Sequence, residues 1–344
     1  MPITRTARLV AVTAVSTLAV VACAQGGAQP SSTAPSPVTS GNTVAIRTGN
    51  SIAPVAVTDN AVWVPNAGDG TVSRLDPATV RVTATVRIGD PHTMGNCGPD
   101  SVHSFMFDTF LQRRCDLPSA LAATDKAVWV LKNDADQLLR LDPNDAHVVA
   151  RIPIGVHGFG VVADDDVVWV SDYETDSLIR VDPAANQVVS TMHSLPHGPS
   201  GMALSGHDLW VANSRADLVT RVDTTSNLVV ASVAVGQVPL AVAVGFGSVW
   251  VRGERGSTVT RIDATTNRVL SVTHVTEHVG RDGSDTMAVG SDGVWVSGLV
   301  VAKVDPKTNQ VVQQLQQPAL AVAVGSGHVL WLNDLTGNVA RVSI

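Results

Sequence analysis

Seven tryptophans set in one recurring phrase constrain this 344-residue chain more than any other feature: Trp63, Trp129, Trp169, Trp210, Trp250, Trp295 and Trp331. Each lies in an apolar stretch such as Ala61-Val-Trp-Val64, Ala127-Val-Trp-Val130 or Val249-Trp-Val251, and the central steps, from Trp129 to Trp169, Trp210 and Trp250, are 40, 41 and 40 residues. A fixed period of that length marks an array of supersecondary units, none of which buries its apolar face alone. In five units an Asp follows 13 residues after the Trp (Asp76, Asp142, Asp182, Asp223, Asp263), and an Arg stands two residues before it (Arg74, Arg140, Arg180, Arg221, Arg261).

Within a unit, apolar runs of four to eight residues rich in Val, Ile and Leu alternate with Gly, Pro, Asn and Asp, the grammar of short strands and turns. The Asp-Pro steps at Asp76, Asp142, Asp182 and Asp305 have a local cause. Proline presets φ for the turn while the Asp side chain bonds the backbone ahead. Four such strands per period predict an all-β fold, a seven-bladed β-propeller of four-stranded antiparallel blades. The last unit runs through Leu320–Val324, Val329–Asn333 and Asn338–Ile344 and stops one strand short. Thr43-Val-Ala-Ile-Arg-Thr-Gly49 resembles the fourth strands of other units, so an N-terminal strand is expected to complete the last blade and leave no open sheet edge at the ring's seam.

Strings such as Arg74-Leu-Asp-Pro-Ala-Thr-Val-Arg-Val-Thr-Ala-Thr-Val-Arg-Ile-Gly89 and Arg261-Ile-Asp-Ala-Thr-Thr-Asn-Arg-Val269 resemble the YVTN-repeat propeller family over about residues 43 to 344. The Val-Trp-Val strands are similar to those of the streptogramin (virginiamycin B) lyase-like propellers. That second resemblance implies a metal-dependent lyase or lactone-cleaving activity as one alternative. The lyases' Trp-Phe-Thr-Glu phrase places a Glu three residues after a Trp, where this chain has Asn66, Lys132, Asp172, Asn213, Gly253, Gly298 and Asp334. An acid–base pair would therefore have to come from His157 or His197 with Glu174 or Asp172.

Ahead of the repeats, Arg5 and Arg8 precede an apolar run, Leu9–Ala22, of about 14 residues, too short for a comfortable membrane span. Val20-Val-Ala-Cys23 resembles a bacterial lipobox, which implies cleavage before Cys23 and lipidation of its thiol. An ordinary signal peptide cut nearby is the alternative. The expected organisation is thus a lipoprotein signal peptide at 1–22, a flexible tether at 23–42 and the propeller at 43–344. The expected location is the extracytoplasmic face of a bacterial cell membrane. Without residues 1–22 the formal charge falls from −7 to −9, and no basic stripe offers phosphate neutralisation, so nucleic acid is not an expected partner. Cys97 and Cys115 suit a disulfide in an oxidising compartment better than a metal site, since no Cys-x-x-Cys or His spacing accompanies them.

These cysteines bracket an insertion, residues 90–117, in which Val102, Phe105, Met106, Phe110 and Leu111 fall at helical spacing behind a capping Asp100-Ser101. It should lie over one mouth of the central channel, either packed on the blade rims or acting as a lid. The same face should gather the variable loops. Ligand-binding candidates there are His157, Asp172, Tyr173, Glu174, His197, Arg252, Arg281 and Asp282; metal candidates are Asp134, Asp136, Asp172 and Asp176. Solvated hairpin tips would have a similar composition. Gly158-Phe-Gly160 and Gly245-Phe-Gly247 sit at strand boundaries and read as turn glycines. No phosphate loop, nucleophile elbow or His-Glu-x-x-His is present. The expectation is a monomeric binding or scaffold module for an envelope protein or a small polar ligand, its cofactor left open with a divalent cation as candidate.

Overall fold

The computed structural model describes residues 43–47, 54–89, 118–132, 136–255, 257–275, 286–325, 329–333 and 338–343. The described strands all belong to one unit, Pro35–Ile344. Strand β1 is Thr43–Arg47. Blade 1 follows with β2 (Ala56–Val57), β3 (Val62–Asn66), β4 (Thr71–Asp76) and β5 (Arg81–Arg87). Blade 2 has β6 (Pro118–Ala123), β7 (Val128–Lys132), β8 (Gln137–Leu141) and β9 (Val148–Pro153). Blade 3 has β10 (Gly158–Ala163), β11 (Val168–Asp172), β12 (Ser177–Asp182) and β13 (Gln187–Met192). Blade 4 has β14 (Pro199–Ser205), β15 (Asp208–Asn213), β16 (Leu218–Asp223) and β17 (Leu228–Ala234). Blade 5 has β18 (Pro239–Gly245), β19 (Ser248–Gly253), β20 (Thr258–Asp263) and β21 (Val269–His274). Blade 6 has β22 (Met287–Val289), β23 (Val294–Val296), β24 (Val301–Asp305) and β25 (Gln310–Leu315).

Six blades are therefore built from four consecutive strands each, and the expected count of seven is corrected to six contiguous blades plus one composite sheet. That last sheet joins β26 (Ala321–Gly325), β27 (Val329–Asn333) and β28 (Asn338–Ser343) to β1, in the order β1-β28-β27-β26. The physical reason is that β1, which precedes blade 1 in the sequence, supplies the strand beside β28 in antiparallel register, with Ala45 opposite Ala340, so this sheet is not contiguous in the chain. We refer to it as blade 7. The innermost strands pack side by side around the ring, and β26 rests on both β22 and β2, which closes it.

Cohesion between blades comes from the indoles. All seven Trp side chains are buried, and six of them sit in an apolar cluster with the second and third strands of the next blade, while Trp295 clusters with Val322 of β26 and Val342 of β28. Trp129 packs on Val168, Val170, Ile179 and Val181 of blade 3; Trp331 packs on Val62, Val64 and Leu75 of blade 1. Removing one such side chain costs about 3–5 kcal/mol. The expectation that the Trp residues fill the space between sheets describes them well.

The repeated arginine has a part that spacing alone did not disclose. Each Trp on a second strand is paired across the ladder with a cation on the third, as in Trp129 opposite Arg140, and six of these cations lie over the indole at 4.9–5.9 Å from its centroid. Directly opposed residues share a face of the sheet, so the cation points the same way as its Trp, and in the same six blades a β-bulge on the fourth strand falls opposite it. Arg140 Nη1 donates to the Pro183 carbonyl at 2.7 Å and to Asn186 Oδ1 at 3.0 Å. Arg74 Nε reaches the Pro143 carbonyl, Arg221 reaches Asn267, and Arg261 reaches Pro306 and Asn309.

The turn that receives the guanidinium is set by its Asp. Asp263 Oδ1 accepts the N–H groups of Thr265 (3.0 Å) and Thr266 (2.7 Å) and the Thr266 hydroxyl (2.9 Å). Asn267 then adopts the left-handed region at φ 59°, which Asn tolerates, and offers its side-chain oxygen to Arg261. These bonds, led by the backbone N–H of the residue three positions on, hold the carboxyls of Asp76, Asp223 and Asp263 below the usual carboxylate value; Lys307 N–H leads the same effect at Asp305. Because the folded-state value is depressed, the stability these groups contribute is present above about pH 4 and is lost as pH falls through the folded values. Denaturant titrations should therefore give a flat midpoint from about pH 7 to 5 and a fall below about pH 4. Asp263→Asn should shrink that fall, and an unchanged fall in Asp263→Asn would remove this turn as its source.

Candidate functional site

One face of the ring carries both the turns between second and third strands and the connections that lead from an outer strand into the next blade. Backbone bonds tie the two: Ile154 N–H donates to the Asp136 carbonyl (2.8 Å), Leu195 to Asp176 (3.1 Å) and Val235 to Asp217 (3.0 Å). The three acceptor residues share a left-handed φ of 48–54°. Their carboxylates all turn onto the adjoining connection. Asp136 Oδ1 lies 2.7 Å from His157 Nδ1, Asp176 Oδ2 lies 2.6 Å from His197 Nδ1, and Asp217 Oδ1 accepts the Val238 N–H at 2.8 Å. Asp176 Oδ1 also accepts the Gly198 N–H at 2.8 Å. Asp176 and Asp217 thus share one capping device, which at Val238 works without an imidazole, and Asp136 stands at the corresponding position against His157.

Asp172 is buried at the end of β11, and its oxygens accept the Glu174 N–H (2.9 Å), the Thr175 N–H and the Thr175 hydroxyl. It stands where blades 1 and 4 have Asn66 and Asn213, which likewise bond into their own hairpins. Among the described residues, Asp136, Asp172 and Asp176 do not come together as a ligand set. The described cluster that could hold a cation, Asp142, Asp145 and His147, lies on the opposite face in a turn between third and fourth strands, and its atoms already serve that turn. Arg252, expected on the rim, is instead completely buried. It occupies the position, two residues after the Trp, where Ser171 and Ser297 bridge to the inner strand of the next blade. Glu174 is exposed at its hairpin tip. Asp134, Arg281, Asp282, Cys23, Cys97, Cys115 and the insertion 90–117 lie outside the described residues.

Tyr173 is where the rim departs from the repeat. Its ring is 4% exposed, stacked on Phe159 at 5.4 Å and 27°, with the Arg215 guanidinium 4.2 Å from its centroid. This stack joins the inner strand and hairpin tip of blade 3 to the hairpin tip of blade 4. The loop bearing Arg215 is fixed in turn, since Arg215 N–H donates to the His197 carbonyl at 3.2 Å and Ser214 N–H to that of Gly198 at 2.8 Å. Arg215 itself is exposed, next to the exposed imidazole of His197. Neither Phe159 nor Arg215 was singled out by sequence. The signal for Phe159 lay in its flanking glycines, which are not turn residues: a Cβ on Gly160 would stand 2.8 Å from the Ser200 carbonyl oxygen. They let blades 2, 3 and 4 approach closely enough to present the ring.

The closed ring of four-stranded antiparallel blades defines a β-propeller, and solved structures agree. Streptogramin B lyase superposes with a TM-score of 0.68 at 13% identity, covering 88% of this chain and 97% of that one. BamB from Moraxella catarrhalis gives 0.58 at 13% identity, covering 86% and 85%. A chain of the mitotic checkpoint complex gives 0.71 at 11% identity, covering 96% and 99%. No protein-family model and no curated protein matches the sequence. Identities this low establish the propeller fold alone.

The capping role of the rim acids separates two substitutions. Asp176→Ala removes a backbone cap and should cost about 1–2 kcal/mol, whereas His197→Ala removes an exposed partner and should stay within about 0.5 kcal/mol in urea unfolding. Equal losses would show that the imidazole, and not the cap, secures this connection.

Proposed function

We propose that the chain is an exported, lipid-anchored propeller that works as a binding or scaffold module at the cell envelope. Its blade 3–4 rim would hold a small polar ligand or a segment of an envelope protein. The observation that carries this reading is the Phe159–Tyr173–Arg215 stack. It is built from the chain's single Tyr, it breaks the repeat, and it fixes a cation beside the exposed His197. A repeat protein spends such a departure where recognition needs it, on loops held by a rigid scaffold. The Arg5–Cys23 leader and the uncharged segment 24–42 support export and anchoring.

The lyase-like alternative would draw on His157 with Asp136. The same Asp position caps backbone at Asp217, where no imidazole stands, so the pair is more economically a structural copy. The binding reading is tested by placing a photo-crosslinking side chain at Glu174 and, as a control, at Asp166 on the opposite face, with cells irradiated before lysis. Adducts should form from position 174 and not from 166, and Arg215→Ala or His197→Ala, both at exposed side chains, should reduce them about tenfold or more without changing the unfolding free energy by more than about 1 kcal/mol. Equal adducts from both faces, or adducts indifferent to both substitutions, would contradict it.

A further inference from the structure

The composite blade differs from the other six in how its outer strand is held. In blades 1 to 6 a covalent turn joins the third strand to the fourth, and the fourth then leads into the next blade. In blade 7 the strand beside the third, β28, is β1, which no turn joins to it and which is held by a ladder of five residue pairs, from Thr43 opposite Val342 to Arg47 opposite Asn338. From Arg47 the chain continues to Ala56 at the start of β2 in blade 1. Strand β1 is therefore the outer strand of blade 7, joined to it by hydrogen bonds to β28 alone, while in sequence it leads into blade 1.

The cation device changes at the same place. Blade 7 lacks the turn between third and fourth strands that receives a cation from the preceding blade, and the blade 6 cation, Lys303, pairs instead with Asp292 of its own blade. On the other side, Arg341 faces Trp331 across the ladder like its six counterparts, but the β1–β28 register runs without the bulge that stands opposite those cations. Its Nε is buried and has no hydrogen-bond partner among the described residues. The packing of Trp331 on Val62, Val64 and Leu75 remains.

We propose that the ring opens at the seam between blades 7 and 1, with β1 acting as a releasable strap. Release separates β1 from β28, exposes the β28 edge, and frees β27 and β28 before any other blade yields. A pull on the chain ahead of Thr43 falls first on those five residue pairs.

Hydrogen exchange of the purified full chain, followed by mass spectrometry, compares like with like because every blade has a Trp-bearing second strand. Amides of β27 should exchange at least about tenfold faster than those of β7, β11, β15 and β19 under native conditions. A double variant, Ala45→Cys with Ala340→Cys, joins directly opposed residues; once oxidised it should bring β27 to the level of the other blades, and reduction should restore the difference. Protection of β27 equal to the other second strands would overturn the proposal. So would earlier opening of another blade, or fast exchange that persists under the crosslink.

Discussion

A cation laid over an indole, with its far end gripping the next blade, is the interaction on which the ring's geometry depends. Burial of the seven indoles supplies the larger energy, about 3–5 kcal/mol for each side chain on truncation, against about 0.5–2 kcal/mol for a cation over a ring. Burial is non-directional, however, and would accept many angles between sheets. Direction comes from the guanidinium, whose planar donors meet a carbonyl and an Asn oxygen fixed in a turn of the neighbouring blade. The Asp that shapes that turn, the Trp pairing that aims the Arg and the Asn with positive φ work as one part repeated around the ring. Where one component is missing, at blade 7, the closure falls to a five-pair strand ladder and apolar packing.

The rim shows the same economy in reverse. Most of its acids are committed to holding backbone: Asp172 closes its hairpin, Asp176 and Asp217 cap connections, and Asp136 meets His157. A surface that looks rich in ligand chemistry is thus largely structural. The residues that serve no repeat function are Tyr173, Phe159 stacked on it and Arg215 against its ring.

The architecture was legible because the Trp period and the strand grammar report local demands, each met within a few residues of its cause. Strand β1 was legible for the same reason, since Thr43–Gly49 resembles the fourth strands of other units. What stayed hidden depends on contacts between units. Arg140 meets Pro183 and Asn186 at separations of 43 and 46 residues, in another blade. Arg252 sits at a position that alternates in the sequence between small and large residues, so its burial could not be read from a nominal loop. Gly160 was taken for a turn glycine because its reason, the Ser200 carbonyl, belongs to another blade.

The most direct test of the inter-blade grip is a double-mutant cycle on Arg140→Ala and Asn186→Ala, read by equilibrium unfolding in urea. The two residues belong to different blades and meet only through this contact. A coupling energy of about 1 kcal/mol or more is predicted, as for residues that share a hydrogen bond to a charged group. Strict additivity of the two single losses would contradict the account, leaving the blades oriented by indole packing alone.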